Sequence, residues 1–230
     1  FSSMGLVLTI VGASARDLAM KLLDSGCSKR RTADLDVAVA LNDWNQYEAL
    51  SDALTKNHFK KLKAKQKFVY KGPNHDNDYE VDVVPFGQIA SDELIKWPPM
   101  GCPEMSVRCY DDVMAKAVDL DIDGIHVKIA PLAGQFLVKL DTWIDRNDRE
   151  NKDAIDMRFI LSQFYMATVL DSDYIPDVVN IEEGTDLIWG AQWIAFETGQ
   201  MLSTEHLEYY VDFLREELEK KGKKQVIAAS

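Results

Sequence analysis

Up to about residue 130 the apolar positions switch repeatedly between strand and helix spacing, and from Pro131 onward they keep helix spacing. "GLVLTIV" reads as a strand and "SARDLAMKLLDSG" as a helix closed by Gly26. "ADLDVAVAL" is the next strand. "NDWNQYEALSDALTKN" is a helix with Asn42 or Asp43 as its cap. "QKFVY" and "YEVDVVPF" are strands around the turn-rich "KGPNHDND". A proline-rich loop, "KWPPMGCPEM", leads into "MSVRCY" and a short helix near "DDVMAKAV". "VDLDIDGIHVKIA" then predicts a hairpin through its Asp-Gly turn. Helices follow at about 131–146, 151–167, 185–200 and 204–220. The pattern predicts an α/β or α+β module followed by a helical half, with no internal repeats.

One strand breaks the rule that charge stays out of buried runs. In "RRTADLDVAV" the residues Asp34 and Asp36 sit two apart, so a strand would turn both carboxylates to one face, ~7 Å apart. Like charges side by side repel, and Asp is a poor strand former. "YEVDVVPFG" repeats the anomaly with Asp82, and with Glu80 on the same face. Taken alone, that pair is equally the wet side of an edge strand. Between the first strand and helix, "VGASARD" offers Gly12 for a tight turn and Ser14 near a helix N-terminus, a place where backbone N–H groups and the helix dipole favour anions. On its own that loop is equally a turn with Ser14 as helix cap. It is neither a P-loop nor a dinucleotide fingerprint. Together, strand carboxylates and an anion-binding turn suit magnesium, which takes oxygen ligands and needs few carboxylates where phosphates and water complete its shell. Two such ions can activate a hydroxyl and stabilise a leaving pyrophosphate. Cations between the aspartates would neutralise the repulsion.

The strand followed by "GASARD", a helix and "TADLDVAV" resembles the nucleotidyltransferase fold of the DNA polymerase β superfamily, and "YEVDVVPFG" is similar to the strand carrying its third carboxylate. "PLAGQFLVKLDTWIDRNDRENKDAIDMRFIL" resembles the AbiEii-type nucleotidyltransferases, the toxin halves of type IV toxin–antitoxin systems. The resemblance spans roughly residues 6–165. It implies an α+β fold: a nucleotidyltransferase core at 1–130, a mixed sheet flanked by helices, and a helical C-terminal domain at 131–230 that completes the nucleotide site. It implies an enzyme that moves a nucleoside monophosphate from an NTP to a hydroxyl and releases pyrophosphate. Asp34 and Asp36 would bridge two Mg²⁺ ions, and Asp82 would hold the one that activates the acceptor. Gly12, Ser14 and Arg16 would hold the nucleotide's phosphates, and Lys139 would contact the triphosphate. The acceptor stays open between a tRNA 3′ end, a protein side chain and a small molecule, and a cognate antitoxin enters as a partner class. The chain departs from the family where Ala13 follows Gly12, a position that tolerates alanine unless it needs positive φ. The same motifs resemble tRNA CCA-adding enzymes, for whose long helical body the chain is too short. The alternatives are a nucleotide-binding regulator without turnover and an antitoxin-interacting protein of the same fold.

A net charge of −12 argues against nucleic-acid binding by bulk charge and leaves only local basic stretches, "KKLKAKQK" (60–67) and "KKGKK" (220–224). Their plainer reading is a solvated turn between strands and a helix end. Lys139, Trp143 and Arg146 recur at i, i+4 and i+7 and share a face opposite Leu137, Leu140 and Ile144. An amphipathic helix explains that spacing equally well, Trp143 suits core packing or base stacking, and Asp153 and Asp156 could simply bridge Arg146 or Lys152. The four histidines have no metal-ligand spacing. Cys27, Cys102 and Cys109 read as reduced thiols, and with no apolar run long enough to span a bilayer and no signal peptide the expected setting is cytoplasmic.

Overall fold

The computed structural model describes residues 1–22, 34–72, 78–146, 151–169 and 172–220. The fold is α+β: a mixed sheet with helices C-terminal to it. Strands β1 (Thr9–Val11), β2 (Asp34–Ala40), β3 (Phe59–Lys61), β4 (Lys67–Lys71), β5 (Asp78–Phe86), β8 (Val118–Ile122) and β9 (Ile125–Ile129) form a seven-stranded sheet in the order β3-β4-β5-β2-β1-β9-β8. β2 runs parallel to β5 and β1 parallel to β9, and the other neighbours are antiparallel. A separate two-stranded ribbon joins β6 (Leu94–Lys96) to β7 (Glu104–Ser106) across the proline-rich loop. The helices are α1 (Gly12–Leu22), α2 (Trp44–Lys56), α3 (Tyr110–Ala115), α4 (Leu132–Arg146), α5 (Lys152–Val169), α6 (Asp186–Met201) and α7 (Thr204–Glu219).

Local chemistry explains several boundaries. Asp43 caps α2 by accepting from the Gln46 backbone N–H at 2.8 Å, and Gln46 reciprocates by accepting from the Asn42 N–H at 2.8 Å. Asp123 and Gly124 turn the β8–β9 hairpin with φ of 52° and 80°, the pair of positive values that matches strand twist. Ser203 caps α7 through the His206 N–H. The "KKLKAKQK" stretch is the exposed turn between strands expected of it, with its ends drawn into the sheet. Its ends form the hairpin strands β3 and β4, Lys61 donates to Ser51 Oγ at 3.2 Å, and Lys67 meets carboxylates on β5. The expected helix end at Gly26, the loop at 73–77 and the lysines at 221–224 lie outside the described residues.

Two apolar clusters hold the molecule together, and α4 belongs to both. One cluster contains Leu137, Leu140 and Trp143 together with Val37 and Val83 of the sheet, Ile95 of the ribbon and Tyr210 of α7. In the other, Leu132 and Ala133 meet Ile10, Ala15 and Met20 with Ile160, Phe164 and Trp193. The helix is therefore buried on most sides, which the amphipathic reading did not anticipate: Asp141 is 1% exposed and accepts from Ser106 Oγ at 2.5 Å and Tyr210 OH at 2.8 Å. Trp143 is a core residue set edge-on against Phe213, so of its two expected uses packing holds. α5 and α6 approach so closely that a Cβ at Gly190 would lie 2.1 Å from the Leu161 carbonyl oxygen. Among the described residues no helix is long and apolar enough to cross a membrane.

A histidine given no role by the sequence ties α7 to this frame. His206 Nδ1 lies 2.6 Å from Asp112 of α3, and Nε2 lies 2.5 Å from Glu93 just before β6. Burial opposes its charge, but the two carboxylates outweigh burial and raise its pKa above the ordinary 6.5. A raised folded-state pKa contributes stability that is complete below the unfolded value and fades as pH rises through the folded one. Glu93 shifts the other way: burial raises its pKa, but His206 and Arg108 outweigh burial and hold it below 4.5, so its contribution is complete above that and fades on acidification. His206→Gln should therefore cost ~1.5–3 kcal/mol near pH 6, the scale of hydrogen bonds to charged groups, with the gap to wild type narrowing as pH rises. Urea denaturation of both proteins from pH 5 to pH 9 measures this, and a gap independent of pH would contradict it.

Candidate active site

The register of the sheet brings the sequence's anomalies together. β1 pairs with β2 so that Val11 stands opposite Asp36, and β2 pairs with β5 so that Asp36 stands opposite Asp82 and Asp34 opposite Glu80. β4 sets Lys67 opposite Asp82. One rung across four strands thus reads Lys67, Asp82, Asp36, Val11, with all four side chains on one face. Immediately past Val11 the chain turns at Gly12, with φ of 66°, into α1. The turn must be glycine for a second reason: a Cβ there would lie 2.2 Å from Asp36 Oδ2. The backbone of the turn and the carboxylate of Asp36 are packed directly against each other. Ala13 is not among the positive-φ residues, so the departure at that position costs the turn nothing.

The rung forms part of the wall of a cleft of about 700 Å³ between the sheet, the β6–β7 ribbon and α4. Gly12, Asp36, Asp82 and Gln66 line one side, Lys139, Thr142, Asp145 and Arg146 another, and Glu104, Met105 and Tyr110 close it further. Burial pushes the Asp36 carboxyl up to about 6, and Asp82 and then Asp34 add to this, while Lys139 and Lys67 pull the other way. Asp82 is raised too, first by burial, with Lys67 opposing and Asp34 and Glu80 adding. Asp36 and Asp82 are thus partly buried carboxylates in mutual repulsion, the electrostatic condition a cation relieves. Lys67 Nζ already lies 3.1 Å from Asp82 Oδ1 and 3.4 Å from Glu80 Oε2, although its angle to Asp82 Oδ1 is not that of a hydrogen bond.

Opposite the carboxylates stands a locked cationic corner. Lys139 Nζ is 3.3 Å from Asp153 Oδ1 and 3.0 Å from Asp156 Oδ2. Arg146 grips Asp153 with Nε at 2.7 Å and Nη2 at 3.0 Å. Asp153 is fully buried, and burial penalises its charge, but Arg146 and Lys139 outweigh that and hold its pKa below the ordinary carboxylate value. Asp153 thus bridges Arg146, one of the two partners its helical spacing suggested. Of the remaining residues singled out from the sequence, Ser14 is in the first turn of α1 rather than at its cap, and its Oγ donates to the Asp34 carbonyl at 3.2 Å. Asp34 is exposed at the start of β2. Arg16 does not line the cleft. It is 4% exposed, bonds Asp17 at 3.0 Å, lies 3.7 Å from Asp156 and covers the Phe159 ring at 5.1 Å, so it fastens α1 to α5.

Among the described residues no group of three or more His, Cys, Asp or Glu side chains is close enough to form a ready cation cage. The donor set nonetheless fits magnesium. Asp36 and Asp82 offer only oxygen, they are neighbours on one rung, and Mg²⁺ bound with a nucleotide uses one or two carboxylates and fills its octahedron with phosphate and water. Sequence reasoning missed Gln66, Thr142, Asp145 and Tyr110 as cleft residues, and Lys67 beside Asp82 outside the cleft's lining. Lys67 alone carried a signal, since antiparallel pairing of "QKFVY" with "YEVDVV" puts a lysine beside Asp82 in one of its registers.

No protein-family model and no curated protein matches the chain. Among solved structures it is similar to an antigenic nucleotidyltransferase-like protein from Paracoccidioides brasiliensis, at 19% identity and a TM-score of 0.45 over 86% of this chain and 84% of that one. It is also similar to the antibiotic-resistance factor ANT(2'')-Ia, at 15% identity and a TM-score of 0.38 over 74% of this chain and 82% of that one. Both likenesses are distant.

The Gly12–Asp36 contact can be separated from backbone strain. Gly5 has nearly the same φ, 68°, with nothing within 4 Å of an added Cβ. Gly5→Ala should cost only the left-handed strain, ~1–2 kcal/mol. Gly12→Ala should cost that plus roughly 1–3 kcal/mol for displacing the carboxylate, the usual price of forcing an extra methyl into packed atoms. In an Asp36→Ala background the excess should vanish. Equal losses for Gly5→Ala and Gly12→Ala by chemical denaturation would mean that Asp36 does not press on the turn.

Proposed function

We propose that the chain is a metal-dependent nucleotidyltransferase: the oxygen of a hydroxyl acceptor bonds to the α-phosphorus of an NTP, the α–β anhydride bond breaks, pyrophosphate leaves, and the hydroxyl proton passes to solvent. The observation that carries this is the rung itself, Asp36 beside Asp82 and against the Gly12 turn, in a cleft of nucleotide size faced by Lys139. Asp36 and Asp82, with Asp34 two residues away on the same strand face, would hold Mg²⁺, which when bound polarises phosphoryl oxygens and lowers the pKa of a hydroxyl it touches.

The protein's own groups do the rest. The Gly12 turn presents the N-terminus of α1 to the cleft, where unpaired backbone N–H groups and the helix dipole suit phosphate oxygens. Lys139 supplies a positive charge from the other wall, held in direction by Asp153 and Asp156 rather than left to wander. Ser14 belongs to the same turn, but its hydroxyl must leave the Asp34 carbonyl before it can meet a phosphate. Arg16 serves from behind, by fixing α1 on α5. The sequence resemblance to AbiEii-type enzymes supports a tRNA 3′ end as acceptor and an antitoxin as partner. Local positive charge exists for such an acceptor: Lys60, Lys61, Lys63 and Lys65 are exposed on the β3–β4 hairpin, next to the strand that carries Asp82.

Incubation with labelled NTPs and Mg²⁺ should release pyrophosphate, and a protein that binds NTP without releasing it would instead be a non-catalytic nucleotide binder. Asp36→Asn should lower the rate ~100-fold or more, the scale of several kcal/mol of lost electrostatic stabilisation. In EDTA the same variant should be no less stable than wild type, since it relieves repulsion from Asp82. Full activity in folded Asp36→Asn would end the assignment.

Lys139 gives a separate test. Lys139→Ala should cost ~2–4 kcal/mol in transition-state stabilisation, read as kcat/KM, beyond any effect of Lys152→Ala on the adjoining helix. It also removes a partner from Asp153 and Asp156, so both variants are compared below their unfolding transitions. Equal, small kinetic effects would make Lys139 a structural link between α4 and α5 and nothing more.

A further inference from the structure

Lys67 is the one cation on the rung of carboxylates, and no role for it follows from the reaction. It sits opposite Asp82 in register, its Nζ 3.1 Å from Asp82 Oδ1 and 3.4 Å from Glu80 Oε2, with 29% of its side chain exposed. The hairpin that carries it is well anchored. The Val83 N–H donates to the Gln66 carbonyl at 2.8 Å, Tyr47 OH donates to the Lys65 carbonyl at 2.9 Å, and Leu62 N–H donates to the Lys67 carbonyl at 2.9 Å. The position of the lysine is therefore set by the sheet, while its flexible stem lets the ammonium choose between two carboxylates. An ammonium is a compact point charge with three donors, able to stand where a small cation would stand.

We propose that Lys67 is a built-in counter-cation: in the metal-free protein its ammonium neutralises Asp82, and it must give up Asp82 Oδ1, retreating to Glu80, when a divalent cation binds. This rests on the metal reading of Asp36 and Asp82 given above and adds to it a competitor within the chain. Two consequences follow. Without metal, Lys67 shields one of two neighbouring carboxylates and so keeps the centre of the sheet intact. With metal, the same ammonium opposes binding, so a bare divalent cation is held weakly until a nucleotide adds its own negative charge. Glu80 makes the exchange reversible, because it keeps a carboxylate within reach of the displaced ammonium.

The experiment uses Mn²⁺ as probe, with binding followed by electron paramagnetic resonance, alongside thermal melts in EDTA and at saturating MgCl₂. Lys67→Met should melt below wild type in EDTA, and saturating MgCl₂ should remove the difference. It should also bind Mn²⁺ about tenfold tighter, since one repelling unit charge is gone. In an Asp82→Asn background the EDTA effect of Lys67→Met should disappear. Lys67→Arg keeps the charge and should stay near wild type in both measurements, which separates loss of charge from damage to the hairpin. An unchanged melt of Lys67→Met in EDTA, an unchanged or weakened Mn²⁺ affinity, or a loss that persists with Asp82→Asn each overturns the proposal. If Mn²⁺ binding is abolished by Asp36→Asn yet unmoved by Lys67→Met, only the role of Lys67 falls. If wild type binds no Mn²⁺ with or without NTP, the metal reading falls, and the exchange with it.

Discussion

Parallel pairing of β2 with β5 places Asp36 and Asp82 at one register position, and the charge that results shapes everything around the cleft. At the ~5 Å spacing of neighbouring strands two unit charges repel by roughly 3 kcal/mol at an effective dielectric near 20. The sheet cannot slide to escape this, because a one-residue slip would turn Val37, Val39 and Val83 out of the core. The repulsion is met in two ways. Burial and its neighbours raise the Asp36 pKa to about 6, so it takes up a proton far more readily than an ordinary carboxylate, and Asp82 has Lys67 beside it. Neither device removes the carboxylates from the cleft, so the fold maintains a latent demand for positive charge in a place open to ligands.

The opposite wall solves the same problem in reverse. Lys139 and Arg146 project from α4 toward the cleft, and their direct ion pairs are with Asp153 and Asp156 of α5. Burying Asp153 completely would be prohibitive alone; it is tolerated because two cations grip it and hold its pKa low. The pair on α5 therefore does structural work for a cationic wall, and the α4–α5 packing becomes part of the site's electrostatics. A net charge of −12 says little about such a place, since what matters is which few charges the fold brings within ~5 Å of one another.

Most of the architecture was legible in the chain. The helices α4 to α7 fall close to the ranges set by their apolar period, and the strands carrying Asp34, Asp36 and Asp82 lie where β-branched runs placed them. β1 is shorter than "GLVLTIV" suggests, since only Thr9–Val11 pairs with β2 and only Thr9 and Ile10 also pair with β9. β3 was missed because "FKK" has no strand pattern of its own: it pairs because Phe59 stacks on Tyr70 across the hairpin and Lys61 lies over Tyr47 and Phe68. The ribbon β6–β7 hid inside a proline-rich loop for a similar reason. At the site, what could not be read was register and direction. Local spacing shows that Asp34 and Asp36 share a face, but only long-range pairing decides that Asp36 meets Asp82 in the cleft while Asp34 meets Glu80 outside its lining. Arg16 stands in the right motif but outside the main cleft: it lines a small adjoining hollow with Gly12 and Lys139 and is held there by Asp156 and Phe159, which its place after the turn could not reveal.

α4 couples the cleft to the core. It carries Lys139 and Arg146 on the cleft side, Leu137, Leu140 and Trp143 into the sheet's core, and Asp141 into a buried set with Ser106 and Tyr210. Burial raises the Asp141 pKa, while Ser106, Tyr210 and Arg108 work to keep it charged. A helix held by apolar contacts alone can rotate slightly at little cost. One that must also satisfy a buried carboxylate through groups on β7 and α7 is fixed in rotation, because each of those hydrogen bonds weakens steeply when its angle is lost. Asp145, one turn further, accepts from the Ser106 N–H at 3.0 Å and pins the ribbon to the same helix. The position of the wall that presents Lys139 is thus set by polar contacts of the same helix, at Asp141 with Ser106 and Tyr210 and at Asp145 with the ribbon. The residues that hold the two walls apart are the ones that let opposite charges face each other across the cleft without collapsing into an ion pair.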